Sequence, residues 1–304
     1  MLKTVFLILL LPVLPLAVLS QTKENSETKE EQIVRRYFAS LPEDKKEPYS
    51  SNELIVKAAL LLLNTPYAAA TLEVNEVEEL VVNLRESDCL TFVENCLALS
   101  RAGQYLSPDY EYFTRELRKI RYRNGVIRGY TSRLHYTSDW IFDNSMKGIL
   151  EDITHALGGK RFKPNVYYMS AHPDAYPALK KNPQDTEIMA EIEKAINQRN
   201  SYYYIPRNEI SEKTAQIKSG DIICFTTSMP GLDISHMGIA CWNKGQLTFI
   251  HASSKAKKVI VNPESISNYC SRIPGNTGII ILRPLPVTNE HKPSGDYGLI
   301  TVNP

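Results

Sequence analysis

The chain has 304 residues, enough for one large domain or two small ones. Its formal net charge at pH 7 is +1, and no long basic cluster stands out, which argues against nucleic acid as a main partner. The five cysteines are an odd number, so at least one thiol stays free, and we expect no disulfide framework.

The N-terminus combines a positive charge, an apolar run over residues 5–19 and a polar segment. This order predicts a cleavable export signal over residues 1–20 and a polar linker over residues 21–32. We therefore expect an exported protein, periplasmic or secreted, without stable membrane insertion after cleavage. A transmembrane anchor is the alternative, because Pro12 and Pro15 interrupt the run without proving cleavage.

Helical spacing of apolar residues follows the linker. It predicts helices over residues 33–41 and 51–64, the second with an N-cap among residues 50–52. A third helix is predicted to begin at Cys89 and to end near Gly103. Further helix is predicted over residues 110–120.

The start of the Cys89 helix is the most informative feature of this half of the chain. Ser87 or Asp88 fits the N-cap position, whereas Thr91-x-x-Glu94 also matches a capping box and would start the helix two residues later. Either start leaves Cys89 at the positive end of the helix, where a thiolate is stabilised. A buried cysteine without chemistry is the alternative.

The segment over residues 129–140 is too polar for a core and too aromatic for a linker, so we interpret it as a groove wall. The last third of the chain then changes character. It contains five short runs rich in β-branched residues, over residues 220–227, 237–242, 246–250, 259–261 and 278–283. Helices followed by strands predict an α+β fold with a C-terminal antiparallel sheet or half-barrel, within a single catalytic domain over residues 33–304.

Two histidines lie on neighbouring strands of this predicted sheet. His236 enters one strand, and His251 ends the next, with a tight turn predicted at residues 243–245. Pairing about that turn brings the two imidazoles close. His236 is then a candidate base and acid, and His251 a candidate for holding its tautomer. Hydrogen-bonded core histidines are the alternative.

A cysteine at a helix start followed by strand histidines is the order of parts in a papain-like thiol hydrolase. The sequence resembles the NlpC-like bacterial cell-wall cysteine hydrolases, and more closely their N-acetylmuramoyl-L-alanine amidase-like branch. The phrases that carry the resemblance lie at residues 65–67, 81–85, 88–94, 132–140, 220–239 and 250–252.

The resemblance implies a papain-like fold whose N-terminal helices carry the nucleophile. It also implies Cys89 as that nucleophile, His236 as the base, His251 as the polar third member and Tyr67 as an oxyanion donor. One departure from the family pattern is that its usual Gly-Gly pair is the dipeptide at 69–70, Ala-Ala, in this chain. Another is Leu-Thr after the cysteine, which favours the amidase-like branch.

The implied reaction is hydrolysis of the amide between N-acetylmuramic acid and L-alanine, in peptidoglycan or its fragments, the muropeptides. Arg133, Tyr136, Asp139 and Trp140 are the candidates for the sugar-peptide groove, because aromatic faces pack on sugars and Arg meets carboxylates. A reducing or a 1,6-anhydro glycan end remains open. An endopeptidase acting within the stem peptide and an inactive muropeptide-binding module are the alternatives.

No cofactor and no metal are expected. His236, His251 and Asp221 are conceivable zinc ligands, but the chain has no His-Glu-x-x-His or Cys-x-x-Cys pair to support a zinc amidase.

Overall fold

The computed structural model of the protein describes residues 27–41 and 49–288. The predicted signal peptide, residues 1–20, lies outside the described residues. Within the described part, no helix is both long enough and apolar enough to cross a membrane.

The helices of the described chain lie mostly before the sheet strands. They are α1 (Lys29–Ala39), α2 (Ser51–Leu61), α3 (Cys89–Ala102), α4 (Tyr110–Arg121), α5 (Thr137–Met146), α6 (Tyr168–Ala171), α7 (Pro177–Lys181), α8 (Pro183–Gln198), α9 (Ile210–Lys213) and α10 (Ile266–Arg272). The strands are β1 (Leu150–Asp152), β2 (Lys160–Arg161), β3 (Tyr203–Pro206), β4 (Ile222–Thr227), β5 (Ile234–Asn243), β6 (Gln246–Ser253), β7 (Lys258–Val261) and β8 (Asn276–Pro284).

The helix starts follow their capping residues. α1 begins at Lys29, four residues before the prediction, because Thr28 and Glu31 form a capping box there. In α2, Ser50 and Glu53 form the same motif, so the predicted cap is confirmed. The predicted helix over residues 110–120 matches α4 to within one residue.

The strands form one antiparallel sheet in the order β2-β3-β8-β4-β5-β6-β7, with β1 pairing beside β8. The five predicted strands correspond to β4 to β8, and the α+β class is confirmed. The strands β1 to β3 were not predicted, because they are short and extend the sheet through β8. The papain-like placement of the fold stays a prediction.

α3 is the central helix, and its position fixes that of Cys89. Every residue from Thr91 to Ala102 is buried, since α3 packs between α2 and α4 and against β5 and β6. Burial of so many apolar side chains supplies much of the stabilisation of this half of the protein. Only the first turn of α3 reaches the protein surface, so Cys89 is half-buried while the other four cysteines are buried.

α5 corrects one interpretation from the sequence, because the end of the 129–140 segment is a buried helix rather than a groove wall. Its polar side chains are buried because distant groups pair with them. Asp139 binds Arg123 and Arg199, each at 2.6 Å. The N–H of Ser138 donates to Oδ2 of Asp233, just before β5. Paired charges and hydrogen bonds offset the cost of burial.

Candidate active site

The first turn of α3 is organised by a capping box. Asp88 is the N-cap, and its Oδ1 accepts from the backbone N–H of Thr91 at 2.8 Å, while Oγ1 of Thr91 accepts from the N–H of Asp88 at 3.0 Å. The alternative box with Glu94 is therefore wrong. Glu94 is buried and binds Arg121 at 2.7 Å instead.

The sulfur of Cys89 meets backbone donors. The N–H groups of Met237, Leu90 and Cys89 itself hydrogen bond to it and favour the thiolate. Burial and the negative charge of Asp88 have the larger opposite effect, and they raise the pKa of the Cys89 thiol to about 12. The bond from Met237 means that the sulfur lies beside the residue that follows His236.

The two predicted histidines form a close pair. Nε2 of His236 and Nδ1 of His251 lie 2.6 Å apart. The predicted proximity is confirmed, but the two histidines do not lie directly opposite each other on their strands. Ile239 pairs with Ile250, so continuation of that register sets His251 across from Gly238, with His236 diagonal to it.

Gly238 lets the two rings meet. A Cβ there would lie 2.7 Å from both the Ile250 carbonyl oxygen and Cδ2 of Phe249, and 3.1 Å from Cβ of His251. Real Cβ atoms do not make contacts as short as 2.7 Å to a backbone oxygen. The close approach of β5 and β6 at the histidine pair therefore requires glycine at this position.

Both imidazoles are neutral near pH 7. Burial lowers the pKa of His236 to about 4. Burial first, and then the neighbouring His236, lower the pKa of His251 to about 3, while the Asn262 side chain acts in the opposite direction. Together with the raised pKa of Cys89, these values give a neutral thiol and two neutral histidines at pH 7.

Tyr67 lies close to the start of α3. Its N–H donates to the carbonyl of Lys257 at 2.9 Å, and the neighbouring residues pair with Ser87 on both sides. Burial, followed by the charges of Cys89 and Asp88, raises the pKa of Tyr67, so the phenol stays protonated and can donate. The effect of the Cys89 charge on the Tyr67 phenol means that Tyr67 lies near the cysteine, with the Ala-Ala dipeptide at 69–70 in place.

Tyr269, on α10, is a site residue that sequence reasoning missed. Its ring centroid lies 5.9 Å from that of His236 and 5.8 Å from that of His251. Burial and the nearby Cys89 raise the pKa of Tyr269 to about 12. A tyrosine on a short helix has no sequence pattern that would identify it as a site residue. Only the packing of α10 on the sheet brings Tyr269 next to the histidines.

Of the four predicted groove residues, Arg133 borders a cavity near Cys89 in the described part of the chain. The cavity, of about 120 Å³, is lined by residues 70–73, Asp88, Leu90 and His135, among others. The guanidinium of Arg133 binds Glu73 at 2.6 Å. It is itself buried, so its first role is to hold the 70–73 loop.

The other three predicted groove residues are corrected, since they do not face an open groove. Trp140 has no exposed surface and packs in the core. Asp139 is occupied by its two arginines, and the hydroxyl of Tyr136 donates to Glu193 at 2.6 Å. Within residues 27–41 and 49–288, no group of three or more His, Cys, Asp or Glu side chains has the arrangement of a metal site.

In this α+β structure, α3, which begins at Cys89, packs against β5 and β6, the two strands that carry His236 and His251. The sequence model of the AmiA-like family, described as N-acetylmuramoyl-L-alanine amidase-like, matches residues 57–279. Because this match covers more than half of the chain, the protein belongs to that family.

Solved structures agree with this membership. An N-acetylmuramoyl-L-alanine amidase from Bacteroides uniformis is 38% identical, over 77% of this chain and 99% of that chain, with a TM-score of 0.74. A Bacteroides fragilis protein provisionally named a xylanase is 44% identical, over 74% and 98%, with a TM-score of 0.71. A Legionella pneumophila protein is 25% identical, over 84% and 94%, with a TM-score of 0.62. A search of curated proteins gave no match.

Proposed function

We propose that the protein is an exported cysteine amidase that hydrolyses the amide between N-acetylmuramic acid and L-alanine in peptidoglycan or muropeptides. The observation that carries this proposal is the histidine pair, 2.6 Å apart, beside the helix start that bears Cys89. Family membership supports the amidase activity. The name of the Bacteroides uniformis relative supports the choice of bond.

In the proposed mechanism, Cys89 attacks the lactyl carbonyl carbon. Nε2 of His236 is occupied by His251, so Nδ1 is the nitrogen that takes the thiol proton as the carbon–sulfur bond forms. The N–H of Cys89 and the Tyr67 hydroxyl stabilise the oxyanion. The imidazolium then gives its proton to the departing nitrogen of L-alanine, which leaves a thioester.

Deacylation reverses these roles. His236 removes a proton from water, the hydroxide attacks the thioester carbon, and the thiol is regenerated with its proton. The products are a stem peptide with a free L-alanine amine and a muramic sugar with a free lactyl carboxyl group. His236 is neutral at pH 7, so its Nδ1 lone pair is unprotonated when substrate binds.

The xylanase name of one relative does not change the proposal. A glycosidase needs two free carboxyl groups on either side of the scissile bond. Asp88, the carboxylate next to the thiol, is committed to capping α3, and it accepts hydrogen bonds from both N and Oγ1 of Thr91. The cleft therefore favours thiol chemistry over glycoside hydrolysis.

Digestion of defined muropeptides, followed by mass spectrometry, tests the bond that is cut. The expected products are an intact stem peptide beginning with L-alanine and a peptide-free muramic sugar. Products in which muramic acid keeps L-alanine would assign the protein to the endopeptidase alternative. Binding without any product would assign it to the inactive binding module.

The Cys89→Ala variant tests the nucleophile in the same assay. We expect loss of product, with binding of the muropeptide retained. Full activity in this variant, or activity abolished by a chelator, would refute the cysteine mechanism. Export is tested separately, by the N-terminal residue of the protein recovered from the periplasm or the medium. An uncleaved N-terminus in the cytoplasm would refute it.

A further inference from the structure

His251 has one ring nitrogen whose partner is not obvious. The residue is buried, and Nδ1 faces His236, but Nε2 is buried and has no partner at ordinary hydrogen-bond distance among the described residues. A buried polar nitrogen left unpaired lowers the stability of the folded protein. The side chains around this nitrogen therefore matter for the state of the whole histidine pair.

The sheet register brings Asn262 to the same face as His251. Ile250 pairs with Val261, and the N–H of Asn262 donates to the carbonyl of Phe249 at 2.8 Å, which continues the β6–β7 register by one residue. Phe249 and His251 are two residues apart on β6 and share a face. Asn262 is thus the diagonal neighbour of His251, a position within reach of long side chains.

The orientation of the Asn262 amide is fixed from its other side. Its Nδ2 donates to the carbonyl oxygen of Glu264 at 2.9 Å. A carbonyl oxygen only accepts, so the amide nitrogen must face Glu264, and Oδ1 is the atom left for the imidazole. The Asn262 side chain also opposes the lowering of the pKa of His251, as an acceptor beside an imidazole N–H does.

We propose that Asn262 is a positioning residue that holds the proton of His251 on Nε2 and thereby sets the tautomer of His236. With Nε2 protonated, Nδ1 of His251 is an acceptor, so the 2.6 Å contact requires the N–H to be on Nε2 of His236. Nδ1 of His236 then carries the lone pair. This last step rests on the proposed function, in which that lone pair takes the proton of Cys89.

The ¹⁵N chemical shifts of the imidazoles in the folded protein test the tautomers directly, and they need no substrate. At pH 7 we expect both histidines to be protonated on Nε2 and unprotonated on Nδ1. In Asn262→Leu we expect mixed tautomers. A proton on Nδ1 of His251 in the unmodified protein would overturn the proposal. If the shifts agree but no amide is cut, the proposed function fails and this tautomer assignment stands.

Kinetics separate positioning from mere structural support. Asn262→Leu should lower kcat by about tenfold or more with little change in KM, because a misplaced tautomer disables the base. Asn262→Asp keeps an acceptor but adds a negative charge, so kcat should largely recover, and the acidic limb of kcat/KM should move to higher pH. An unmoved limb in Asn262→Asp would contradict the proposal.

Thr248→Val is the matched structural control. The Thr248 hydroxyl lies 2.7 Å from the carbonyl oxygen of Asn262 and 2.7 Å from that of Glu264, and its one hydrogen is shared between them. Thr248 lies outside the histidine pair. We expect lower stability and an unchanged acidic limb. The pKa values of Cys89 and Tyr269 are raised to about 12, so neither group changes charge in this range. Glu264 and Arg272, the charged residues beside Tyr269, form an ion pair at 2.9 Å that is present in every variant. If the acidic limb of the kcat/KM profile moves in Thr248→Val as it does in Asn262→Asp, the shift is a structural effect, and the proposal is contradicted.

Discussion

Asp88 has two opposite effects on the residue that follows it. Its carboxylate starts α3 by accepting the N–H of Thr91, and the same negative charge raises the pKa of the Cys89 thiol, second only to burial. The helix start alone led us to expect a stabilised thiolate. The structure gives a neutral thiol instead, because burial and Asp88 outweigh the three backbone donors.

Asp88→Ser separates these two effects. Serine is an equally good N-cap, so we expect little loss of stability, but removal of the charge should lower the pKa of Cys89. The rate of alkylation by iodoacetamide between pH 7 and 9 should rise severalfold, with Cys89 as the labelled site. An unchanged rate would show that Asp88 does not control the thiol. Cys89→Ser, which lacks the reactive thiol, is the labelling control.

Ala70 is held in a conformation that suits glycine. Its φ is +58°, where an L side chain costs about 1–2 kcal/mol. Ala70→Gly should therefore raise the free energy of unfolding by roughly 0.5–1 kcal/mol, after allowing for the greater entropy of the unfolded glycine chain. Ala69→Gly is the control, because Ala69 has no positive φ, and it should lower stability slightly. Equal effects in the two variants would refute the strain argument.

At the level of elements, the β5–β6 hairpin allows the histidines to pair because Gly238, on β5, has no side chain where it faces β6. Gly238→Ala would push its Cβ into the Ile250 carbonyl and the Phe249 ring. We expect a loss of roughly 1–3 kcal/mol in stability. The His236–His251 hydrogen bond should also be lost, which the ¹⁵N shifts would detect.

The control for this change is Gly275→Ala. A Cβ at Gly275 would make only an ordinary contact of 3.7 Å with Thr227. Its stability should stay within about 0.5 kcal/mol of the unmodified protein. If Gly238→Ala behaves like this control, the hairpin tolerates a side chain and the close-approach argument is wrong.

α5 packs in the core, so replacement of its Trp140 should lower the stability of the fold rather than weaken the binding of substrate. Trp140→Ala should cost about 3–5 kcal/mol in the free energy of unfolding, because a fully buried ring is removed. Trp242→Ala is the matched control, since Trp242 is 44% exposed on β5 and should cost far less. Normal stability with weakened binding of sugar-bearing substrates in Trp140→Ala would restore the groove role.

The sequence predicted the parts of the structure that depend on residues close together in the chain. The cap of α3, the strands β4 to β8 and the histidine pair follow from local composition and spacing. The buried polar groups of α5 do not, because Arg199 reaches Asp139 across 60 residues. Tyr269 and Asn262 were missed for a similar reason, since only the tertiary register brings them to the histidines.

At the scale of the whole molecule, neutral histidines that are buried or half-buried make stability depend on pH. The pKa values of His135, His236 and His251 are lowered to about 3, 4 and 3, mainly by burial. Below about pH 6.5 the unfolded chain binds these protons before the folded chain does. The histidines therefore make their full contribution to the free energy of unfolding above pH 6.5, and this contribution is lost as the pH falls towards 3 to 4.

His135→Asn tests this contribution away from the histidine pair. Each such histidine adds up to about 1.4 kcal/mol per pH unit to the slope of unfolding free energy in this window. Denaturation curves at several pH values between 6.5 and 4 should give a flatter dependence for His135→Asn than for the unmodified protein. Parallel curves would mean that His135 is protonated equally easily in both states.

The raised pKa of Cys89 has a consequence for the lifetime of the protein. Because its pKa is raised to about 12, the Cys89 thiol is almost entirely protonated at pH 7. Peroxides and other oxidants attack the thiolate, and the first product, a sulfenic acid, proceeds to irreversible forms when no thiol reductant is present. We therefore expect Cys89, the proposed nucleophile, to resist oxidative inactivation in an aerobic environment as long as its thiol stays protonated.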